Sequence, residues 1–332
     1  MIHSTDAELT SADRVPFAVM PTDGGRRTTD LSRGLPLPLI LAALGLSTLA
    51  SGILMIRSGL SFDPTSRSNA PYYVAALLVL ALQTRSVQSR IPYGRRVGAA
   101  SVSFLGFTGI ALLGAVTSYP IAALSHGYAD PALQHVDVAL RFDWLAWYRT
   151  VADHPVLQWA GVGAYESIYL SPAILLGWFA FTQDRIGAHR FLASFWLSAV
   201  LTLALFSLMP AVGPFAFLWH GAAPYMPRSE LWQPDLIPAL RAGAVRIVDL
   251  GELRGLVSAP SFHAAAAALF IVTAWRVAPL RWPLVSLNAA MLLATPVEGT
   301  HYLADILMGL ATAGAAMLLV NVALGLFAAR RT

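Results

Sequence analysis

Long apolar segments, each followed by a short polar cluster, recur along the chain after residue 35. A hydrocarbon core about 30 Å thick is crossed by a helix of about 20 mostly apolar residues. The pattern therefore predicts an all-α polytopic membrane bundle with about eight transmembrane helices. The predicted crossings are residues 36–56, 70–84, 99–124, 156–181, 190–209, 262–278, 282–298 and 301–328.

The segments between the crossings predict one membrane domain with a polar tail. Residues 1–35 have no apolar core and are predicted to be a flexible cytoplasmic tail, which leaves residues 36–330 as a single transmembrane domain. Two long outer segments are amphipathic, at about 130–154 and 210–260. The first has apolar residues at helical spacing and is predicted to lie on the bilayer surface. The second is rich in proline, and loops of this length are usually functional or disordered.

Composition and charge narrow the class of protein. Only 12% of the residues are charged and 56% are hydrophobic, whereas a soluble domain has about 25% charged residues. This excludes an ordinary water-soluble enzyme, and a net charge of +4 without a basic stripe excludes nucleic acid as a partner. Cysteine is absent, so thiol catalysis and cysteine-ligated metal sites are excluded.

The arginines predict the orientation in the membrane. All 22 basic residues are arginine, which is typical of a GC-rich bacterial genome. Fourteen of them fall on the side that carries both termini in the eight-helix topology. The positive-inside rule then places the termini in the cytoplasm. We expect an integral protein of the bacterial inner membrane.

Two histidines stand apart from the other six because each lies where an apolar crossing begins. They are His263 in the segment APSFHAA and His301 in the segment GTHYLAD. The 38 residues from one to the other correspond to about 57 Å of helix, which is one helical hairpin down and back across the membrane. Both side chains are therefore expected at the same, extracytoplasmic face.

The surroundings of the two histidines indicate an anion site. Helix N-termini present unpaired N–H groups and a positive dipole end, so two converging helix starts are expected to seat a phosphate. Asp305 follows His301 by four residues, on the same helix face, and could fix the tautomer of the imidazole. A structural role for the pair at the membrane interface stays open, but three ionisable groups at one depth favour function.

The segments PSFHAA and GTHYLADILMG resemble the second and third signature motifs of the type 2 phosphatidic acid phosphatase superfamily. The chain is most similar to the branch that contains inositol phosphorylceramide synthases and sphingomyelin synthases. The similarity also includes the segment LQHVDVALRFDWLAWYRTVADHPVLQWAGVGAYESIYLSP and covers roughly residues 130–310. The resemblance implies a six-helix phosphatase-like core within a catalytic membrane domain.

The resemblance also implies a role for each matching residue. His301 corresponds to the nucleophile that becomes a phosphohistidine, and Asp305 to the residue that orients it. His263 corresponds to the acid that protonates the leaving oxygen and then to the base that activates the acceptor. No metal ion and no cofactor are implied, because fixed cations and helix ends can stabilise the charge on phosphorus.

The chain departs from the phosphatase pattern in its basic residues. It has no lysine, and Thr295 stands where phosphatase members have an arginine six residues before the nucleophile. Arg254 is the first candidate to bind phosphate instead, with Arg246 behind it, although an outer-loop arginine near lipid headgroups is an equal alternative. Further candidate substrate-binding residues are Tyr165, Glu166 and Glu298, for which structural hydrogen bonds are the alternative.

Three functions are compatible with these residues. The first is a lipid phosphotransferase that moves a phosphorylated headgroup from a phospholipid donor to a lipid alcohol acceptor, sphingolipid included. The second is a lipid phosphate phosphatase, in which water is the acceptor. The third is a non-enzymatic membrane haem or transport protein. The absence of lysine, and of the arginine six residues before the nucleophile, favours transfer, because the synthase-like branch also lacks these residues.

Overall fold

The computed structural model describes residues 37–231 and 235–329, so the predicted tail at 1–35 lies outside the described residues. The all-α class is confirmed. Within the described ranges, the strands are limited to one short parallel pair, in which Ser61–Phe62 (β1) lies beside Ile247–Val248 (β2). This pairing joins the first outer loop to the proline-rich outer segment.

The helices are numbered in chain order. They are α1 (Leu37–Ser58), α2 (Ala70–Leu82), α3 (Arg85–Gln88), α4 (Gly94–Leu124), α5 (Asp130–Ala139), α6 (Trp144–Ala152), α7 (Pro155–Glu166), α8 (Leu170–Thr182), α9 (Arg185–Leu208), α10 (Pro214–Leu218), α11 (Leu236–Arg241), α12 (Phe262–Trp275), α13 (Arg281–Glu298) and α14 (Leu303–Ala329). Short 3₁₀ turns cover Arg67–Asn69, Ser167–Tyr169 and Leu250–Glu252. Each predicted crossing coincides with at least one of these helices.

Four of the described helices are long and apolar enough to cross a membrane by themselves, at Leu39–Ser58, Gly94–Leu124, Arg185–Phe206 and Leu303–Leu326. Their outward faces carry large apolar side chains; Leu46 on α1 is 68% exposed and Leu318 on α14 is 63% exposed. Such surfaces are stable when they face lipid. The protein is an integral membrane protein, and the predicted total of eight crossings stays a prediction.

The predicted crossing at 156–181 is wrong in one respect, because it is two helices and not one. The 3₁₀ turn Ser167–Tyr169 separates α7 from α8. The hydroxyl of Ser167 donates to the carbonyl of Ala164 at 2.7 Å. Pro172 follows the turn and has no N–H to donate to the carbonyl four residues earlier. The break places the end of α7 at the wall of the cavity described below.

Close helix contacts hold the centre of the bundle. Ala264, Ala265, Ala266 and Ala267 on α12 are all at most 1% exposed, which lets α13 and α14 approach the helix closely. Aromatic rings fill the adjoining core, where Phe107 lies 4.4 Å from Phe195 between ring centroids. The start of α12 is therefore fixed by dense contacts on several sides.

The predicted amphipathic segment at about 130–154 contains α5 and α6, which pack on α14 and α13; that it lies on the bilayer surface stays a prediction. Their amphipathic character is as predicted, but two acidic residues of α5 are buried. Asp137 accepts hydrogen bonds from the backbone N–H groups of Leu303 and Ala304 at 2.9 and 2.8 Å. Asp130 accepts from the N–H groups of Val212 and Gly213 at 3.0 and 2.9 Å. The bonds of Asp137 tie α5 to the start of α14, and those of Asp130 tie it to the loop before α10.

Candidate active site

A cavity of about 570 Å³ opens at the face of the bundle where α12 and α14 begin. Five of the predicted site residues line it, from four different parts of the chain. They are Tyr165, Glu166, Arg254, His263 and His301. The volume is typical of small-molecule sites, which range from about 300 to 1,000 Å³. The roles predicted for these residues stay predictions, but the fold brings the side chains together.

His263 is the second residue of α12, and its ring is held by an aromatic neighbour. The ring of Tyr165 stacks on the imidazole with 3.9 Å between centroids and 16° between planes. Ser261 begins the helix by accepting a hydrogen bond from the N–H of Ala264 at 3.3 Å. The imidazole is therefore fixed in orientation by a helix start on one side and a tyrosine ring on the other.

His301 lies in the turn between α13 and α14, where it is 3% exposed. Its N–H donates to the carbonyl of Pro296 at 3.1 Å. Its Nδ1 atom lies 3.5 Å from Oδ2 of Asp305, which is fully buried and also accepts from the N–H of Tyr302 at 3.0 Å. The 3.5 Å separation exceeds a formed hydrogen bond, and such contacts often tighten only when substrate binds. The arrangement leaves Nε2 as the ring nitrogen away from the carboxylate.

The expected phosphate seat at two helix starts is wrong for α14. His301 precedes the helix by two residues, and the first N–H groups of α14 are already satisfied by Asp137 of the outer helix α5. A carboxylate at this position is itself the favoured partner of a helix N-terminus. The start of α14 is therefore not available to bind an anion.

Thr300, next to the catalytic candidate His301, has an unusual backbone conformation. Its φ of 47° is rare for a β-branched residue and is tolerated only where the surroundings fix it. The Thr300 hydroxyl donates to Oε1 of Glu230 at 3.1 Å, and Glu230 is only 5% exposed. Burial raises the pKa of Glu230 to about 7. Glu230 of the proline-rich segment therefore helps to hold the turn that carries His301.

We expect Glu230 to make stability depend on pH. Because its folded-state pKa is raised above the unfolded value of 4.5, the native state loses stability as pH rises from about 4.5 to about 7, by about 3 kcal/mol. Glu230→Gln removes the titrating group, so its unfolding midpoint in detergent should fall less between pH 5 and pH 8 than that of the native sequence. Parallel midpoint curves for the two proteins would contradict this assignment.

The two remaining predicted site residues do not line the cavity. Glu298 is fully buried at the end of α13, where it accepts from the hydroxyl of Tyr225 at 2.7 Å and from the N–H of Arg228 at 3.2 Å. It anchors the outer segment. Arg246 donates from Nε to the carbonyl of Gly243 at 3.2 Å, within its own loop. Neither residue is placed to contact a substrate in the cavity.

Sequence reasoning missed Arg228, which lines the cavity beside the two histidines. Its Nε atom lies 2.6 Å from Oε1 of Glu166. In the sequence, Arg228 lies in the proline-rich outer segment, 35 residues before His263, in no recognisable motif. Only the hydrogen bonds of the outer segment to Glu298 and Tyr148 bring it to the cavity.

The wall of the cavity away from the charged groups is formed largely by apolar and small side chains of α4 and α9. It includes Phe107, Ile110, Ala111, Ala115, Ala199 and Leu203. A surface of this kind gains free energy by burying hydrocarbon. The site therefore combines ionisable groups at one end with a wall suited to a lipid chain.

Comparison with known proteins agrees with this combination. The model of the PAP2 superfamily matches residues 131–319, which is more than half of the chain and includes both histidines of the cavity. No curated protein and no solved structure matches the chain. The family and the apolar helices together indicate a lipid enzyme of the phosphatase or phosphotransferase type in a membrane. The chain belongs to the PAP2 superfamily.

Proposed function

We propose that this protein is a lipid phosphotransferase, which moves a phosphorylated headgroup from a phospholipid to a lipid alcohol through a phosphohistidine. The observation that carries the proposal is that His263 and His301 line one cavity whose other lining residues are largely apolar. A phospholipid has the same division between a phosphate group and hydrocarbon chains. The acceptor is a lipid alcohol such as diacylglycerol or ceramide, in keeping with the resemblance to the synthase-like branch.

In the first half of the reaction, Nε2 of His301 attacks phosphorus of the donor. A bond forms between nitrogen and phosphorus, and the bond from phosphorus to the glyceride oxygen breaks. His263 gives its proton to that oxygen, so diacylglycerol leaves as a neutral alcohol. Asp305, 3.5 Å from Nδ1, stabilises the positive charge that develops on the ring of His301.

In the second half, the hydroxyl of the acceptor attacks the phosphohistidine. His263, now neutral, takes the hydroxyl proton, and the bond between nitrogen and phosphorus breaks. The headgroup phosphate leaves on the acceptor, and both histidines return to their starting forms. Arg254 and Arg228 line the cavity and are proposed to stabilise the phosphoryl oxygens during both steps.

A second candidate, hydrolysis with water as the acceptor, is favoured by the open mouth of the cavity. The side chains of Arg228 and Glu166 are 43% and 48% exposed, so solvent reaches the charged end of the site. The same phosphohistidine would then release a phosphate monoester of the headgroup, or inorganic phosphate from phosphatidic acid. The transferase proposal requires that a lipid alcohol competes with this water.

We further propose that the site faces the extracytoplasmic side of a bacterial inner membrane. The proposal rests on the arginine distribution and on the outer segments, which are predicted on the side opposite both termini. Labelling of single cysteines tests it, since the natural chain has none. A cysteine at exposed Asp153, in the outer segment 130–154, should react with an impermeant reagent in intact cells, and one at exposed Ser86, between the second and third predicted crossings, should not.

The proposed function is tested with the purified protein in detergent. It is given a phospholipid with a labelled headgroup, with and without diacylglycerol or ceramide, and both new lipid and free phosphate compounds are followed by mass spectrometry. We expect a new lipid that carries the label and requires the acceptor. Release of water-soluble phosphate alone would make the protein a phosphatase, and no reaction with any donor would contradict both candidates.

Gly299 gives a test of how closely the nucleophile must be positioned. A Cβ atom at this residue would lie 2.6 Å from Cδ2 of His301 and 3.0 Å from Cε2 of Tyr165. Gly299→Ala is therefore expected to displace the imidazole and lower kcat about 10- to 100-fold. The control is Gly163→Ala, which meets no atom within 4 Å and should keep normal turnover. Equal turnover of the two variants would contradict the positioning of His301.

A further inference from the structure

The ion pair of Arg228 with Glu166 lies at the charged end of the cavity. Both side chains line it, and Glu166 directly follows Tyr165, whose ring stacks on His263. The pair joins two separate elements, since Glu166 ends α7 and Arg228 belongs to the outer segment held by Glu298. The pair therefore lines the same cavity as the two imidazoles.

The charges on the cavity wall can be counted within the described residues. The lining contains two guanidinium groups, Arg228 and Arg254, and one carboxylate, Glu166. Glu166 therefore lowers the net charge of the lining by one, whatever the protonation state of the two imidazoles.

The negative charge of Glu166 affects two classes of lipid phosphate differently. A phosphodiester lipid carries a single negative charge on phosphate, whereas a phosphomonoester carries about −1.5 to −2 at pH 7 because its second pKa is about 6. The Glu166 carboxylate repels the two charges of a monoester more strongly than the single charge of a diester. Electrostatic mismatch of this kind selects between partners.

We propose that Glu166 is a specificity-determining residue, which pairs with Arg228 and thereby favours phosphodiester lipids over phosphomonoester lipids. The inference rests on the proposed function, since it concerns the donor of that same site. It explains how a PAP2 member can be biased away from phosphatidic acid and towards headgroup transfer. An exposed ion pair contributes little stability, so the guanidinium can shift towards an incoming phosphate at small cost.

The test measures binding, so it does not depend on turnover. The full chain carrying His301→Ala is purified in detergent, and the Kd values of dioctanoyl phosphatidic acid and dioctanoyl phosphatidylglycerol are determined by calorimetry at pH 7.5. Glu166→Gln in this background raises the net charge of the lining by one. We expect the ratio of monoester affinity to diester affinity to rise about tenfold.

Three matched variants separate charge from structure. Glu166→Asp keeps the carboxylate and should keep the original ratio. Glu166→Gln with Arg228→Gln restores the original net charge of the lining, so the ratio should return towards its original value. Asp153→Asn removes an exposed carboxylate that does not line the cavity and should leave the ratio unchanged.

The possible outcomes are distinct. A ratio that stays constant in Glu166→Gln, or that rises equally in Asp153→Asn, overturns the inference whatever the enzyme does in turnover assays. A chain that shows the expected binding ratios but no turnover of any lipid would support the inference on anion selection and reject the proposed transfer reaction.

Discussion

Replacement of His301 by alanine is expected to abolish turnover while the protein stays folded in the membrane. The imidazole supplies the nucleophile of the proposed reaction, and His263, the other histidine among the described residues that line the cavity, has a separate role. Loss of a nucleophile that acts together with a general acid typically costs more than about 10⁴-fold in kcat. Headgroup transfer by the purified variant should fall below detection.

Folding of this variant is measured separately. His301 is 3% exposed and its side chain makes one polar contact, the 3.5 Å approach to Asp305. Removal of the ring leaves a cavity, so a lower unfolding midpoint is expected, but the elution volume in detergent should not change. Turnover within tenfold of the natural chain would rule out His301 as the nucleophile.

Replacement of Asp305 by asparagine is expected to lower kcat by about 10³- to 10⁴-fold, the range found when the carboxylate that orients a catalytic histidine is replaced by an amide. Asparagine can still accept the hydrogen bond from the N–H of Tyr302. It can also present its amide N–H to Nδ1 of His301, which would favour the tautomer with the proton on Nε2. The nucleophilic nitrogen would then be blocked.

The Asp305→Asn variant should keep its affinity for lipid, because Asp305 does not line the cavity. Binding of the short-chain phospholipids provides this control, and the expected signature is a large fall in kcat with an unchanged Kd. If the affinity for lipid and kcat fell by the same factor, Asp305 would have a structural role in the turn that carries His301. Turnover near that of the natural chain would remove it from the mechanism.

Much of the fold follows from local sequence pattern. Apolar segments of membrane-spanning length located the helices, since the bilayer imposes a length and composition that is visible in the sequence. The shared face of His263 and His301 was also predictable, because the spacing between them matches one helical hairpin. The pairing of His301 with Asp305 follows from their separation by four residues.

The features that were not predictable depend on contacts between distant parts of the chain. Asp137 occupies the start of α14 although 166 residues separate it from Leu303, and only the fold reveals that the predicted phosphate seat is filled. Arg228 reaches the cavity through hydrogen bonds of a proline-rich segment with no periodic pattern. Arg254 lies nine residues before His263, so the segment around that histidine pointed to it, and it does line the cavity.

The measurement that tests the central claim most directly is the capture of the covalent intermediate. The purified protein is incubated with a phospholipid labelled at phosphorus without any lipid alcohol, quenched in base to preserve phosphohistidine, digested and mapped by mass spectrometry. We predict a headgroup phosphate on the peptide that contains His301, its loss on addition of acceptor, and no label in His301→Ala. Label on another residue, or turnover with no labelled peptide at any time, would contradict the account.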